Sequence, residues 1–364
     1  MKIVNESEVA SPALLIVKET AEDNIHRMLE IAGGPERLWP HVKTHKLEAL
    51  VKAQLSSGIS KFKCATVAEA EMCAKAGASA VLLAMQPVGP GVERLIALVQ
   101  RFPHTAFSTI ADAEGPILTL GKAAKIHAVE IPVLLDIDCG MKRTGVVPGD
   151  EAAKLYQMLA ATPGLRAAGL HAYDGHMHES DLETRRAQCD AAFAGVLELR
   201  DALRQIGMDV PRLVAGGTPS FAIHAQHADR ELSPGTFVLW DFGYGDKFSD
   251  LPFQPAAFLL TRVVSKPGAG KLCLDLGHKA VAAENPHPRV RFPALPDAQA
   301  VMQSEEHLVI ETAQADQYEI GQCLYGIPRH VCPTVALYNE AWAVEANTAR
   351  DRWPITARGR RISI

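Results

Sequence analysis

The sequence contains no uninterrupted apolar run close to the roughly 18 residues that a membrane-spanning helix needs. Its first eight residues lack the apolar core of a secretory signal peptide. No basic run stands out and the formal net charge is −5, so a nucleic-acid partner is not expected. The seven cysteines form no CxxC pair and no dense framework, which favours a reducing compartment. These absences predict a soluble cytoplasmic protein with no membrane or nucleic-acid partner.

The chain has 364 residues, 48% of them hydrophobic, which is enough for one large domain or two smaller ones. Up to about Tyr244, short β-rich runs alternate with amphipathic stretches that are typical of helices. Eight or nine such repeats fit a (β/α)8 barrel better than an open parallel sheet. The strand candidates lie at residues 13–17, 61–65, 80–84, 105–110, 133–138, 168–173 and 212–215, with a last one before Trp240.

The pattern changes after about Gly245, where strand-like segments are separated by turns without intervening helices. These segments are residues 258–264, 272–275 and 307–310. We therefore predict an α/β protein with two domains. Residues 13–244 form a TIM-type barrel, and residues 1–12 with 245–364 form a second, mostly antiparallel β domain.

The segment from His41 to Lys46 reads His-Val-Lys-Thr-His-Lys and follows an apolar stretch that can form a buried strand. Buried lysine and histidine side chains need a partner or a chemical role. A partly desolvated lysine near other cations becomes an amine nucleophile that can form a Schiff base with an aldehyde such as pyridoxal phosphate (PLP). A solvated basic turn is the alternative that these residues alone leave open.

Two glycine-containing segments follow strand candidates and can form loops that bind phosphate. The first, Ala215–Ser220, reads Ala-Gly-Gly-Thr-Pro-Ser and precedes a helical stretch, so that loop amides, a hydroxyl and a helix start converge. The second, Pro234–Thr236, can close on the same anion. An ordinary strand-to-helix loop is the alternative interpretation of each segment.

Three further clusters carry polar groups at strand ends or in loops. Arg143 follows the strand that ends at Asp138 and can contact a PLP ring, although an ion pair with an aspartate of that strand is equally compatible. Alternation places His171 and Tyr173 on one face of the next strand. On an extended segment, His330 and Cys332 would point the same way and bind one metal ion, with water or substrate completing its shell.

Together these motifs resemble the D-threonine aldolase and D-serine dehydratase family of fold-type III PLP enzymes, relatives of alanine racemase. The resemblance covers nearly the whole chain, and the order and spacing of the motifs make it specific. The motifs are Pro40–Lys46, Asp138–Gly140 with Arg143–Gly145, Gly217–Pro219, Pro234–Thr236, Glu305–His307 and His330–Thr334.

The resemblance implies a role for each site residue. Lys43, the first lysine of the basic segment, would bind PLP covalently, and His45 is the candidate catalytic base. Arg143 and Tyr173 would contact the pyridine ring or its substituents. The phosphate would be held by Gly217, Thr218, Gly235 and Thr236. A divalent metal (manganese, magnesium or zinc) would be held by His330 and Cys332 in the β domain.

The resemblance also implies an aldolase that cleaves small D-3-hydroxy amino acids, such as D-threonine, to glycine and an aldehyde, acting as a homodimer. A dehydratase that releases ammonia and a keto acid is the alternative, and an amino acid racemase is a more distant one. Cys332 is closer to the dehydratase branch, whereas residues 334–339 and 357–360 are closer to the aldolases. Two other classes are a PLP-binding protein without turnover and a PLP-free metal hydrolase built on His171, His176 and His178.

Overall fold

The computed structural model describes residues 1–364 and contains sixteen strands and ten α-helices. The strands are β1 (Ala13–Val17), β2 (Lys61–Cys64), β3 (Ala80–Leu83), β4 (Ala106–Ala111), β5 (Ile131–Ile137), β6 (Leu165–Ala172), β7 (Leu213–Ala215), β8 (Glu231–Leu232), β9 (Ala257–Ser265), β10 (Lys271–Leu274), β11 (Val290–Arg291), β12 (Gln299–Gln303), β13 (Leu308–Glu311), β14 (Cys323–Pro328), β15 (Glu340–Glu345) and β16 (Thr348–Pro354). The α-helices are α1 (Lys18–Ala32), α2 (Glu48–Ser56), α3 (Val67–Ala76), α4 (Pro90–Arg101), α5 (Glu114–Ile126), α6 (Asp150–Ala161), α7 (Leu182–Gln205), α8 (Phe221–Ala225), α9 (Phe242–Lys247) and α10 (Val331–Val335).

The chain divides into two compact units. The barrel unit comprises Met28–Lys43, Leu50–Gly235 and Gly359–Ile364. The sheet unit comprises Met1–Arg27, Thr44–Ala49 and Thr236–Arg358. No helix of the chain has both the length and the apolar character that crossing a membrane requires.

The barrel unit contains seven parallel strands in the order β2 to β8. Single bridges from Leu38 to Leu232 and from His41 to Lys63 connect the two edges of this sheet through the segment 38–41. That segment takes the place of the eighth barrel strand, although it comes first in the chain. A helix follows it and each of the strands β2 to β7. The predicted barrel class is therefore confirmed, with the first strand shortened to a few bridging residues.

The barrel interior is filled by one side chain from each of six of the eight strand positions. This buried cluster consists of Trp39, Leu82, Ile110, Leu134, Ala168 and Val214. Because it occupies the strand interiors, polar groups are displaced towards the carboxyl ends of the strands. Enzymes with this architecture carry their chemistry at that end.

Capping sets the bounds of α3 and fixes how β2 leaves the barrel wall. Thr66 accepts a hydrogen bond from the Glu69 amide at 3.2 Å, and the Glu69 carboxylate accepts one from the Ala65 amide at 2.6 Å. The helix ends at Gly77, whose φ of +102° is readily adopted by glycine. These caps hold the loop that follows β2, the strand that carries Lys63.

The sheet unit contains the second predicted β domain, a nine-stranded and mostly antiparallel sheet. The predicted domain bounds need correction: residues 13–27, 44–49 and 236–244, expected in the barrel, belong to the sheet unit, and residues 359–364 belong to the barrel unit. In particular, β1 pairs with β9 and in parallel with β15. Leu15 of β1 packs with Leu260 and Val344 in the core of this unit. A five-residue apolar run fits either sheet equally well, so periodicity did not distinguish the two positions.

Candidate active site

Lys43 lies in a short 3-10 turn, Val42–Thr44, directly after the bridging segment 38–41 that forms the first barrel strand. Its side chain lines a cavity of about 450 Å³ in the barrel unit. His41 lines the same cavity, and burial together with the charges of Lys43 and Lys63 holds the pKa of His41 well below its usual range. Of the basic segment, His41 and Lys43 therefore face a cavity rather than solvent alone.

The ring of Tyr173 is the contact point for three cations of the cavity. Lys43 Nζ and Lys63 Nζ each lie 5.5 Å from the ring centroid, and the Arg143 guanidinium lies 4.9 Å from it. Arg143 and Tyr173 are therefore brought together with Lys43, as the resemblance implied. The alternative ion pair of Arg143 with the preceding strand is not formed, because Asp136 bonds to His171 and Asp138 caps backbone amides.

Asp136 and His171 form a buried pair on the cavity wall, with 2.6 Å between Asp136 Oδ1 and His171 Nδ1. Burial, followed by the charge of Lys63, lowers the pKa of His171, so the neutral imidazole donates from Nδ1 to the carboxylate. His171 Nε2 is then a buried acceptor without a protein partner. Such a group is costly unless a donor reaches it, which marks this wall as a ligand-binding surface.

The two predicted phosphate loops meet in the barrel unit. The Gly235 amide donates to Thr218 Oγ1 at 2.9 Å, which joins the loop after β7 to the loop after β8. A side chain at Gly217 would place its Cβ 2.8 Å from Tyr173 Cε2, so this position tolerates only glycine. The helix that follows, α8, has only five residues, so a phosphate at the predicted site would be held by loop amides and hydroxyls rather than by a long helix.

A buried hydrogen-bond network supports the first loop. Asp174 accepts from Ser220 Oγ at 2.7 Å and from His224 Nε2 at 2.8 Å, and Ser220 Oγ also accepts from the Gly217 amide at 3.3 Å. A side chain at Gly216 would place its Cβ 2.5 Å from the His224 ring. The network therefore fixes the backbone of the loop from behind.

The same network includes Cys189 and has the residue types of a metal site. Its hydrogen bonds are already complete, because Arg230 donates to His224 Nδ1 at 2.8 Å while His224 Nε2 donates to Asp174. Burial raises the pKa of the Cys189 thiol, so the protonated form, which is a poor ligand, is retained. An arginine beside these groups further disfavours a divalent cation. We therefore interpret this cluster as structural support.

Ser220→Ala is expected to weaken PLP binding about fivefold, because one hydrogen bond of roughly 1 kcal/mol that orients the loop is lost. Fluorescence titration of the apoprotein with PLP measures the change. Ser108→Ala is the matched control, since Ser108 is equally buried in the barrel and bonds only to the Val81 carbonyl oxygen. Equal PLP affinity in both variants would contradict the supporting role of Ser220.

His330 and Cys332 come together in the sheet unit, although the segment is not extended as the sequence suggested. His330 caps the N-terminus of α10 and Cys332 lies in its first turn. His330 Nδ1 is 2.6 Å from Glu284 Oε1, and Cys332 Sγ is 3.3 Å from Thr44 Oγ1. The helical turn, rather than strand alternation, brings imidazole and sulfur to the same side.

Electrostatics at this pair favour a thiolate. Burial alone would raise the pKa of Cys332, but the hydrogen bond and charge of His330 outweigh it and the pKa is lowered. Burial alone would lower the pKa of His330, whereas its hydrogen bonds to Cys332 and Glu284 raise it to about 9. Thiolate is the form of cysteine that binds metals, and a carboxylate behind a histidine is a common outer partner of metal sites.

Two other predicted residues also lie in the sheet unit. His45 is buried, its Nδ1 accepts from the Leu47 amide at 3.1 Å, and burial lowers its pKa to about 3. It is therefore neutral, with its proton on Nε2 and Nδ1 occupied by the Leu47 amide, so it would accept a further proton only in exchange for that hydrogen bond and only from a donor that is itself acidified. Thr236 Oγ1 lies 3.8 Å from Cys332 Sγ, so this hydroxyl, expected on the phosphate, faces the His330–Cys332 pair.

Several residues of the earlier clusters do not join the site. His176 and His178 form no metal cluster with His171, which removes the basis for a PLP-free hydrolase. Glu305 and Glu306, from a motif shared with the family, both pair with Lys279 on the surface.

Four site residues were missed from the sequence. The sequence pattern identifies none of Lys63, Asp174, Asp241 and Glu284. Asp241 accepts hydrogen bonds from the amides of Val331 and Tyr244 and so holds the start of α10.

Comparison with known proteins gives two domain matches. Residues 16–241 match the family described as alanine racemase, N-terminal domain, and residues 256–344 match the putative serine dehydratase domain.

Similar whole chains have the same two-part architecture. A 3-hydroxy-D-aspartate aldolase of Paracoccus denitrificans (strain Pd 1222) is 29% identical over 98% of this chain and 94% of its own. A D-threonine aldolase of an Arthrobacter species is 29% identical, with coverage of 97% and 94%. The crystal structure of D-threonine aldolase from Filomicrobium marinum superposes with a TM-score of 0.91 at 30% identity, covering 97% of each chain. With both domains and its full length matched, the chain belongs to the D-threonine aldolase and D-serine dehydratase family of fold-type III, alanine racemase-like PLP enzymes.

Proposed function

We propose that the protein is a PLP- and divalent-metal-dependent lyase that cleaves D-3-hydroxy amino acids of the D-threonine type to glycine and an aldehyde. The observation that carries the proposal is the Tyr173 ring, which is shared by Lys43, Arg143 and the backbone of Gly217. These are the amine, ring and phosphate positions of one cofactor. The names of the similar proteins, two of them D-threonine aldolases, support the reaction.

The residues present fit PLP. The cavity of about 450 Å³ is of the size that small cofactors occupy, and three cations face it. The buried acceptor at His171 Nε2 and the glycine at position 217, where a side chain would not fit, both indicate a ligand at this wall. We propose that Lys43 binds the aldehyde and that Arg143 and Tyr173 hold the ring. Gly217, Thr218, Gly235 and the backbone of Thr236 hold the phosphate, because the Thr236 hydroxyl faces Cys332.

PLP, when bound, supplies an electron sink for the bond broken at the α-carbon. The protein would select that bond by orienting the substrate, with Tyr173 and Arg143 holding the ring. The Lys43 amine would be the group that moves a proton at the substrate. In the cavity, the burial of His41 and His171 keeps their imidazoles neutral, so they do not compete as acids.

The residues present also fit a divalent metal. The lowered pKa of Cys332 favours the thiolate, and Glu284 fixes the orientation of His330 through Nδ1. A metal bound at His330 Nε2 would replace the proton that the imidazole carries there. A metal at this pair would lower the pKa of the substrate 3-hydroxyl. We propose that His45, unprotonated because of its burial, accepts the hydroxyl proton. Thr44 and His45 directly follow Lys43 in the sequence, and Thr44 contacts Cys332.

The competing reaction within the same family is dehydration, in which the α-proton leaves and the hydroxyl departs. The soft sulfur of Cys332 favours zinc and is the feature closest to dehydratases. The same metal serves either outcome, because it can lower the pKa of an alcohol or stabilise departing hydroxide. The outcome depends on which bond at the α-carbon is aligned with the ring electrons.

We expect the protein, loaded with PLP and Mn²⁺, Mg²⁺ or Zn²⁺, to release glycine and an aldehyde from D-threonine or D-3-hydroxyaspartate. Quantifying glycine and aldehyde beside ammonia and keto acid, with D-serine as a third substrate, separates the two reactions. Ammonia and keto acid as the main products would replace the aldolase with the dehydratase. The homodimer and the cytoplasmic location stay predictions, and light scattering tests the first of them.

A further inference from the structure

Lys63 is a buried amine inside the barrel that the proposed chemistry does not use. It lies on β2 with 3% of its surface exposed, and it lines the same cavity as Lys43. In the sheet register Lys63 is opposite Leu82, whose side chain belongs to the barrel core, so both point inward. Buried lysines are rare and need a compensating partner.

The protein supplies only part of that compensation. Lys63 Nζ donates one hydrogen bond, to Ser233 Oγ at 3.0 Å, and no carboxylate lies within ion-pair distance. An ammonium carries three donors, so a single hydroxyl leaves it under-satisfied. The charged and titratable groups around it are Lys43, Arg143, Asp136, Asp174, His41, His171 and the Tyr173 ring. Burial, followed by the charge of Lys43, lowers the pKa of Lys63 to about 7.

Ser233 determines where the amine lies. Its hydroxyl donates to the Gly216 carbonyl oxygen at 2.8 Å, and it directly precedes the second glycine loop, which begins at Pro234. The Lys63 amine is therefore anchored at the base of both loops that we propose bind phosphate.

In PLP the phosphate arm is attached to ring carbon 5, and carbon 6 lies between that carbon and the ring nitrogen. The 3-hydroxyl lies on the opposite edge.

From this placement we propose that Lys63 Nζ donates a hydrogen bond to the ring nitrogen of bound PLP. The inference rests on the proposed seat of PLP, with its aldehyde carbon on Lys43. A donor that lies along the ring edge of carbons 5 and 6, beside the phosphate arm, can reach the ring nitrogen. Lys43 would be joined through the aldehyde on carbon 4, which is para to that nitrogen. Lys63 is thus a positioning residue of the cofactor. It supplies a donor that leaves the ring nitrogen without a proton of its own.

The test compares Lys63→Met with wild type, using PLP labelled with ¹⁵N in the ring. Methionine fills similar volume without a donor or a charge, so it suits this buried position. We expect the wild-type holoprotein to show the nitrogen resonance of an unprotonated, hydrogen-bonded pyridine at neutral pH. In Lys63→Met the resonance should move by several parts per million, and the dissociation constant of PLP should rise about tenfold or more, since a charged donor is lost.

Lys61→Met is the matched control, because Lys61 lies on the same strand and face but pairs with Glu231 at 3.2 Å and does not line the cavity. It should leave the resonance and the affinity for PLP unchanged. A resonance that is the same in Lys63→Met and wild type, or that reports a protonated ring nitrogen in wild type, overturns the inference.

Two further measurements keep the test decisive. If Lys63→Met does not fold, the crystal structure of the wild-type holoprotein decides: Nζ about 3 Å from the ring nitrogen supports the contact, and a separation well beyond hydrogen-bond distance overturns it. Borohydride reduction followed by peptide mass analysis locates the covalent adduct in wild type. An adduct on Lys43 with no effect of Lys63→Met refutes the inference alone, whereas no adduct on Lys43 refutes the proposed cofactor seat.

Discussion

Replacing Lys43 with alanine is expected to reduce turnover by on the order of 10³-fold or more, because the amine that binds the PLP aldehyde and moves protons is removed. The visible absorbance of protein-bound PLP should disappear together with the borohydride-trapped adduct. The fold should survive, since Lys43 is only half-buried in a short turn and truncation of such a side chain usually changes the free energy of unfolding little. Steady-state kinetics, absorbance and thermal unfolding measured on one preparation test all three statements.

Lys46→Asn is the matched control for this prediction. Lys46 lies three residues further along the same basic segment, and its φ of +54° is one that asparagine tolerates better than most residues. The control should retain the visible band and most of the activity. Full turnover in Lys43→Ala, or loss of the band in both variants, would contradict the assignment of Lys43.

The position of the cavity was predictable because parallel barrel strands end at one face. Lys43, Arg143, Tyr173 and the two glycine loops each follow a strand in the sequence, so the topology alone gathers them. Their precise contacts were not predictable. The joining of the two loops through Thr218 and Gly235 depends on side-chain directions that only the folded structure fixes.

Lys63 shows why strand patterning misses a functional residue in a barrel. Lys-Phe-Lys-Cys alternates as a half-exposed strand would, which sends the lysines towards solvent. In a barrel both faces of a strand are covered, and Phe62 is buried on the face opposite Lys63. Alternation then separates two buried faces and carries no information about which of them holds the polar group.

The His330–Cys332 pair illustrates a correct grouping reached by the wrong geometry. Strand alternation was expected to align the two side chains, whereas a capped helical turn does so. Glu284, the partner of His330, lies 46 residues earlier in the chain, and no local pattern connects them. Long-range partners of this kind depend on tertiary structure, which is why the proximity of His330 and Cys332 was predictable and their carboxylate partner was not.

Cys332→Ala is expected to remove the divalent metal and to reduce turnover at least tenfold to a hundredfold, while PLP binding persists. The thiolate is one of only two proposed protein ligands, so its loss leaves His330 alone, and even outer partners of metal ligands typically contribute factors of about 10 to 100. PLP binding should persist because the proposed cofactor contacts include no sulfur. Metal analysis by mass spectrometry and the visible spectrum measure the two effects separately.

Cys323→Ala is the matched control, since Cys323 is also a partly buried free cysteine of the sheet unit and lies at the start of β14 rather than on α10. It should keep wild-type metal content and turnover. Chelation of the wild-type protein should reproduce the Cys332→Ala defect, and added Zn²⁺ or Mn²⁺ should restore activity to the chelated wild type but not to the variant. Unchanged metal content in Cys332→Ala would place the metal elsewhere. Turnover that is unchanged after complete metal loss would contradict the proposed role of the metal. His45 would then have to remove the hydroxyl proton without the metal, and its pKa of about 3 makes it too weak a base for that step.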